Sequence, residues 1–339
     1  MLKKASLLLC VILITVSTVR GVQAVGLELA LNVNEKYDLG EEISISGNLT
    51  LDGSPVTDGL VTIQIDDPQN DLYVLRTLNT GSTPSGPWPV EILELTTCDS
   101  YGNPQSDFEA GGNLGIKINV RNNCVNMQHV IVTVNLYDSN VIPFIALKLY
   151  EDNMDPESNE TRTIWPIPIA HNAKLGQAYA YANALNGWPK NGGFAFSPEK
   201  SVQFNIGSTS GSGTQGTQGI YGAGSAGEFN LTFRTQSHGG RTGNYNVSAA
   251  SYYQWWYATN QATFEVYLLG DLNGDGKVRV DDVLFVVLRF GTDEGGPPNS
   301  HGYVYDPLAD LAPVPDGDGK IRVDDVLTVA LAFGKYSEQ

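Results

Sequence analysis

The stretch GDLNGDGKVRVDDVLFVVLRFG, beginning at Gly270, recurs in shortened form as GDGKIRVDDVLTVALAFG from Gly317. Asp282 and Asp325 hold equivalent places 43 residues apart (325 − 282). Each copy sets side-chain oxygens at alternate positions, bends at a glycine, and continues as an apolar run. In the first copy Asp271, Asn273 and Asp275 stand at positions 1, 3 and 5 of a cation loop, Gly276 at the bend, the Lys277 carbonyl at 7 and Asp282 at 12. A hard cation such as Ca2+ takes six to eight oxygens, and this spacing wraps the backbone so that alternate side chains face one point. An Asn/Asp-rich turn without an ion explains neither the duplication nor the helix fused to each loop.

The second copy departs from this order. Asp316, Asp318, the Lys320 carbonyl and Asp325 match positions 3, 5, 7 and 12, but Val314 stands at position 1. Asp310 supplies the missing carboxylate only if the loop bulges by four residues. The helices expected over DVLFVVLRF and DVLTVALAF are apolar nearly all the way round, so each must be covered on more than one side. They can cover each other, and the remainder is expected to meet the rest of the chain or a partner.

The segment before the first loop, ATFEVYLLG, reads as a strand, so each loop has a helix on one side only. A calcium loop followed by a single helix, given twice and ending in Asp, resembles the dockerin domain from Gly270 to about Tyr336. The resemblance implies a calcium-dependent module that binds a cohesin domain on another protein. It also implies partner contacts at Val280, Asp281 and Arg289 in the first copy and Val323 and Asp324 in the second. The Val-Asp pairs are identical, whereas Arg289 matches Ala332 and limits the symmetry.

Upstream, short alternating segments are separated by Gly, Asn, Asp and Pro. LELALNV, EISISGNLTL, LVTIQID and LYVLRTL read as four strands, and EFNLTFRT, NYNVSAAS and ATFEVYLL as three more. Four and three make the seven strands of an immunoglobulin-like sandwich. Between them lie VEILELTT, LGIKINVR, VIVTVNLYD, PFIALKLY, TIWPIPI, QAYAYANAL and SVQFNIG, enough for a second sandwich. The alanine-rich QAYAYANAL also suits a helix, but its alternating tyrosines and strand neighbours favour a strand. The expectation is a mainly β chain: residues 25–84 and 219–268 form one discontinuous sandwich, 88–206 a sandwich inserted in it, 207–218 a Gly/Ser-rich linker, and 269–339 the dockerin. The alternative, two consecutive sandwiches, leaves the first short of strands. YDLGEEISISGNLTLDGSPVTDGLVTIQI and GNYNVSAASYYQ are similar to the immunoglobulin-like repeats of exported prokaryotic proteins, especially archaeal surface and S-layer-associated ones. FEAGGNLGIKINVRNN with VIVTVNLYDSN resembles adhesion-type sandwiches.

Residues 1–24 combine two lysines, an apolar run too short to span a bilayer and a small residue at Ala24, the pattern of a cleaved secretory signal. No later segment is apolar enough to span. Removing Lys3, Lys4 and Arg20 takes the formal charge from −17 to −20, which disfavours nucleic acid and suits calcium or a saline exterior. The expected location is extracellular, at the cell surface. Cys98 and Cys124 invite a disulfide in an oxidising compartment. If VEILELTT and LGIKINVR pair antiparallel, however, the two lie at opposite ends of the pair. Sequons at Asn48, Asn159, Asn230 and Asn246 permit glycosylation without showing it.

No HExxH, G-x-S-x-G, P-loop or dinucleotide fingerprint occurs, and His129, His171, His238 and His301 lack metal spacing. The motif YYQWWY, Tyr252 to Tyr257, lies where two strands should form a hairpin. Simple alternation puts Tyr253, Trp255 and Tyr257 on one face, where exposed rings would stack on sugars; the alternative is that the rings pack on the inserted region or the terminal helices. The leading reading is a non-catalytic assembly protein joined through its dockerin to a cohesin-bearing scaffold. The alternative is a carbohydrate-binding accessory of a polysaccharide-degrading complex; a glycoside hydrolase is the remaining reading.

Overall fold

The computed structural model describes residues 26–207, 226–314 and 317–338. The expected signal (1–24), nearly all of the Gly/Ser-rich linker (207–218) and Asp316 lie outside the described residues. The protein is mainly β. Its strands are β1 (Leu27–Val33), β2 (Lys36–Asp38), β3 (Glu42–Leu51), β4 (Ser54–Pro55), β5 (Leu60–Asp66) and β6 (Leu72–Asn79). Then come β7 (Val90–Cys98), β8 (Asp107–Glu109), β9 (Asn113–Asn122), β10 (Gln128–Tyr137), β11 (Pro143–Met154), β12 (Asn159–Pro168), β13 (Gly176–Leu185) and β14 (Lys200–Gly207). The chain continues through β15 (Glu228–Arg234), β16 (His238–Arg241), β17 (Gly243–Tyr253) and β18 (Trp256–Tyr267). It ends with helices α1 (Val280–Arg289) and α2 (Val323–Ala332) and the short strand β19 (Tyr336–Glu338).

Two sheets join the beginning of the chain to residues past 227. One runs β1-β3-β15 with β4 on β3, the other β2-β18-β17-β5-β6. Their alternating side chains build one core: Ile43, Ile45, Leu49, Phe229 and Phe233 from the first meet Ile63, Ile65, Tyr245 and Phe264 from the second. In β3 the pattern is plain, with Ile43, Ile45 and Leu49 inward and Glu42, Ser44 and Asn48 outward. Where the chain leaves this outer unit and where it returns are hydrogen bonded to each other, the Gly227 N–H donating to the Thr80 carbonyl at 3.1 Å.

Between those points, β12-β9-β7 and β11-β10-β13-β14-β8 enclose a second core containing Ile116, Ile118, Val132, Val134 and Phe204. QAYAYANAL is strand β13, paired with β10 and β14. Cys98 pairs with Gly115 at one end of β7–β9, while Cys124 lies beyond Asn122 at the other, and both thiols are free.

The two units meet along β5 and β6. Strand β5 is buried at every position, its polar residues included, because those that point away from the core meet the inserted unit. The Thr62 hydroxyl accepts from the Ala195 N–H (3.0 Å), and Asp66 pairs with Lys190 (3.0 Å). Strand β6 ends its sheet, and side chains from across the junction occupy its open edge. Asn135 accepts from the Leu75 N–H at 2.6 Å, Asn183 donates to the Leu75 carbonyl at 3.3 Å, and Glu199 accepts from the Thr77 N–H at 3.1 Å. That is how a sheet edge is kept from pairing with another chain. Glu199 also forks onto the Arg76 guanidinium (2.9 and 2.7 Å), which lies 3.5 Å above the Tyr181 ring.

Candidate functional site

The first loop folds around Asp271. One of its oxygens accepts from the N–H groups of Gly274 (2.9 Å) and Asp275 (3.1 Å), the other from Gly276 (2.8 Å). Asn273 accepts from the Asp275 N–H and Asp275 from the Lys277 N–H. Asp282, buried at the start of α1, accepts from Leu272 through one oxygen (2.9 Å) and from Arg279 through the other (2.8 Å), tying the two ends of the loop together. Gly274 and Gly276 take positive φ angles of 73° and 78°, the left-handed backbone this winding requires.

The second loop repeats this arrangement with one substitution that the sequence spacing obscures. Asp310 accepts from the N–H groups of Asp318 (3.1 Å) and Gly319 (2.7 Å), the equivalents of Asp275 and Gly276. Buried Asp325 accepts from Leu311 (2.6 Å) and Arg322 (2.7 Å), as Asp282 does from Leu272 and Arg279. Asp310, not Val314, therefore takes the part of Asp271, and the chain that follows Asp310 bulges by the four extra residues. A Cβ on Gly317 would lie 2.4 Å from the Asp310 carboxylate, so only glycine fits there. Tyr305 donates to Asp310 at 2.8 Å, and burial together with that carboxylate pushes its phenol up to about 12.

The two loops are braced reciprocally. The first pairs with the segment after α2: Val278 N–H donates to the Lys335 carbonyl and Ser337 N–H to the Gly276 carbonyl. The second pairs in the same way with the segment after α1: Ile321 N–H donates to Thr292 and Glu294 N–H to Gly319. A local two-fold relation thus joins the copies. Among the described residues, no group of three or more His, Cys, Asp and Glu side chains is gathered in metal-binding geometry. The carboxylates are instead turned to the loop N–H groups. The donors are all hard oxygens, and the Asn273 amide and the Lys277 and Lys320 carbonyls stand beside the acids in sequence. In donor chemistry the set fits Ca2+.

Next to the loops the helices leave apolar side chains in water. Val280, Leu284, Leu288 and Phe290 are exposed, and so are their counterparts 43 residues on, Val323 (71%), Leu327, Leu331 (76%) and Phe333. Val286 and Val329 face inward and are fully buried. Among the described residues each helix is covered on one side, and the remainder, expected from the sequence to meet the rest of the chain or a partner, is left exposed. Asp281 and Asp324 are exposed beside Val280 and Val323. Arg289 is engaged inside the module, over the Phe285 ring at 3.6 Å and 3.4 Å from Asp306.

The grouping of Tyr253, Trp255 and Tyr257 on one face is not found. Strands β17 and β18 reverse at Gln254 and Trp255, both at positive φ (46° and 74°), so Tyr253 pairs with Trp256 and Tyr252 with Tyr257. Crossing a two-residue turn breaks the alternation. Tyr253 donates to Asp58 at 2.7 Å, and Tyr252 stacks on Phe194 of the inserted unit with centroids 4.8 Å apart. Trp255 projects from the tip, 91% exposed. A cleft of about 650 Å³ over β3 and β15 is lined by Ser46, Asn48, Thr50 and Asn230, with Glu228 its one acid among the described residues.

No family model matches the chain, and no curated protein does. Solved structures resemble it only weakly. The C-terminal domain of wzt is 6% identical, with a TM-score of 0.30 over 37% of this chain and 78% of that one. A Bacteroides uniformis beta-glucuronidase is 10% identical, with a TM-score of 0.29 over 50% of this chain and 26% of that one. The Pseudomonas fluorescens alkylpurine DNA glycosylase AlkC is 10% identical, with a TM-score of 0.27 over 36% of this chain and 32% of that one. At these scores none carries an argument about function.

Proposed function

We propose that the chain is an exported, non-catalytic assembly protein whose residues 269–339 form a dockerin that attaches it, with calcium bound, to a cohesin-bearing partner. In this reading the two β units are immunoglobulin-like and adhesion-type sandwiches that act as spacers at the cell surface. One observation carries it. Four exposed apolar positions on α1 and the turn after it recur, 43 residues on, beside α2, next to paired acidic loops. Fold stability gains nothing from leaving such side chains in water, and contiguous apolar surface of this kind marks a site of association.

Asp271, Asn273, Asp275, the Lys277 carbonyl and Asp282 would hold the first ion. Asp310, Asp318, the Lys320 carbonyl and Asp325 would hold the second, with Asp316 at its sequence position. A bound ion would supply positive charge beside the loop acids. The residues do the rest: Asp282 and Asp325 cap the two helices at Arg279 and Arg322, so an ordered loop fixes the helix that presents the apolar face.

The test is a pull-down from the native cell envelope with the full chain as bait, in calcium and in chelator. A partner retained only in calcium is expected, and Val280→Arg combined with Val323→Arg should release it while leaving the fold intact. Equal capture by that double variant would overturn the reading. Trp255 at its exposed tip favours a second reading, a carbohydrate-binding accessory. Glycan-array binding that disappears in Trp255→Ala would select it.

A further inference from the structure

The local two-fold relation between the loops is broken at one place. Among the described residues the segment after α1 pairs across to the second loop and to no strand of the outer unit, whereas the segment after α2 has a partner on each side. On one side Lys335 and Ser337 bond to the first loop at Val278 and Gly276. On the other, Tyr336, Ser337 and Glu338 pair in parallel with His238, Gly240 and Arg241 of β16. The Tyr336 ring meets His238 edge-on, with centroids 5.7 Å apart.

Asp38, in β2 of the outer unit, closes the arrangement. One of its oxygens accepts from the Leu269 N–H (2.9 Å), where the chain enters the first loop, and the other from the Lys335 ammonium, where the chain leaves α2. Beneath these bonds the core is continuous. Leu39 and Leu268 of the outer unit belong to one buried cluster with Val278, Val286, Val329 and Ala332. The terminal module is thus held at its entry, at its exit and through its core, an arrangement unlike a unit on a flexible tether.

We infer that residues 334–338 form a strap that couples the first loop, but not the second, mechanically to the outer β unit. The inference rests on the calcium reading for its trigger. The acids of the first loop repel one another when no cation balances them. A cation that orders Gly276–Val278 orders the strap bonded to those residues, and the strap orders β16. The second loop is braced by Gly291–Glu294, which pairs with no strand of the outer unit among the described residues, so its ordering stays within the module.

Hydrogen exchange on the full chain, in calcium and in chelator, reads each link separately. Calcium should slow exchange in the first loop, in residues 334–338 and in β16, each by about tenfold or more. Asp318→Ala should leave all three effects in place. A chain carrying Lys335→Met and lacking residues 336–339 should keep the protection of the first loop and lose that of β16. Protection of β16 that persists without the strap, or that never appears although the first loop is protected, overturns the coupling and leaves the calcium reading standing. If calcium protects neither loop, the trigger is overturned, and the strap is judged in chelator alone. Faster β16 exchange on deletion then supports it, and unchanged exchange overturns it.

Discussion

Asp310 stands four residues ahead of the place that the repeat assigns to it (314 − 310). Its carboxylate nonetheless receives two of the three loop N–H groups that Asp271 receives, those of Asp318 and Gly319, and Gly317 is cleared of any side chain to let it in. Calorimetry of calcium binding to the full chain should therefore show two events. Asp310→Ala should weaken the second by at least about tenfold, or about 1.4 kcal/mol. Val314→Asp should not tighten it, because Val314 sits in the bulge, away from the ligand position. Tightening by Val314→Asp would return position 1 to Val314. The alternate positions of the first loop were readable because spacing alone sets them. Asp310 was readable only as a candidate conditional on a bulge, because a bulge has no period: the folded backbone shows that this acid closes the gap.

At the scale of elements, the mainly β character was legible from alternation, and so was each long strand. In β3 and β15 one face meets the core and the other meets water, so the residue pattern repeats the pleat. Short strands were not legible, since β2, β8 and β19 have three residues each and show no period. Strand β5 hides a different problem: its Thr62 and Gln64 look solvent-facing, yet the inserted unit buries them. The hairpin tip failed for a third reason. YYQWWY contains no Gly or Asn to mark a turn, yet Gln254 and Trp255 adopt left-handed angles, which cost about 1 kcal/mol or more per non-glycine residue. Replacing Gln254-Trp255 by Asn-Gly, the pair suited to two successive left-handed residues, should raise the unfolding midpoint by several degrees. Thermal melts of the two chains would decide it. An unchanged or lower midpoint would mean that Trp255 makes a stabilising contact that its exposure conceals.

At the scale of the whole molecule, the pairings of β15 with β3, β17 with β5 and β18 with β2 join residues 27–66 to residues past 227. The outer unit can close without anything between, because Thr80 and Gly227 are already hydrogen bonded. Chains tolerate insertion and excision where the ends of a segment lie this close. Against this stands the junction, where the side chains of Arg76 and Glu199 are only 5% and 8% exposed. Removing one partner of such a pair strands the other, at about 3–5 kcal/mol. Deleting the whole insertion is different, because Arg76, Thr62, Gln64 and Asp66 would all return to water, where their polar groups are satisfied. The lasting penalty is apolar: Leu75 would lose its cover from Ile131 and Leu185 at about 2 kcal/mol, and the outer core would lose Tyr137 and Tyr181, which pack into it from the insertion. A chain lacking residues 82–225, joined through about four Gly/Ser residues, should therefore fold and melt in one transition below that of the parent. Leu75→Thr in the same background should remove the newly exposed apolar side chain without lowering the midpoint further. By contrast, Glu199→Gln in the full chain should cost more than the loss of Leu75's cover, because it leaves Arg76 charged and enclosed. Circular dichroism melts of the three chains make the comparison. Failure of the excised chain to fold, with and without Leu75→Thr, would show that the insertion is a structural layer of the outer unit, in which case the strand pairings across it form only in its presence.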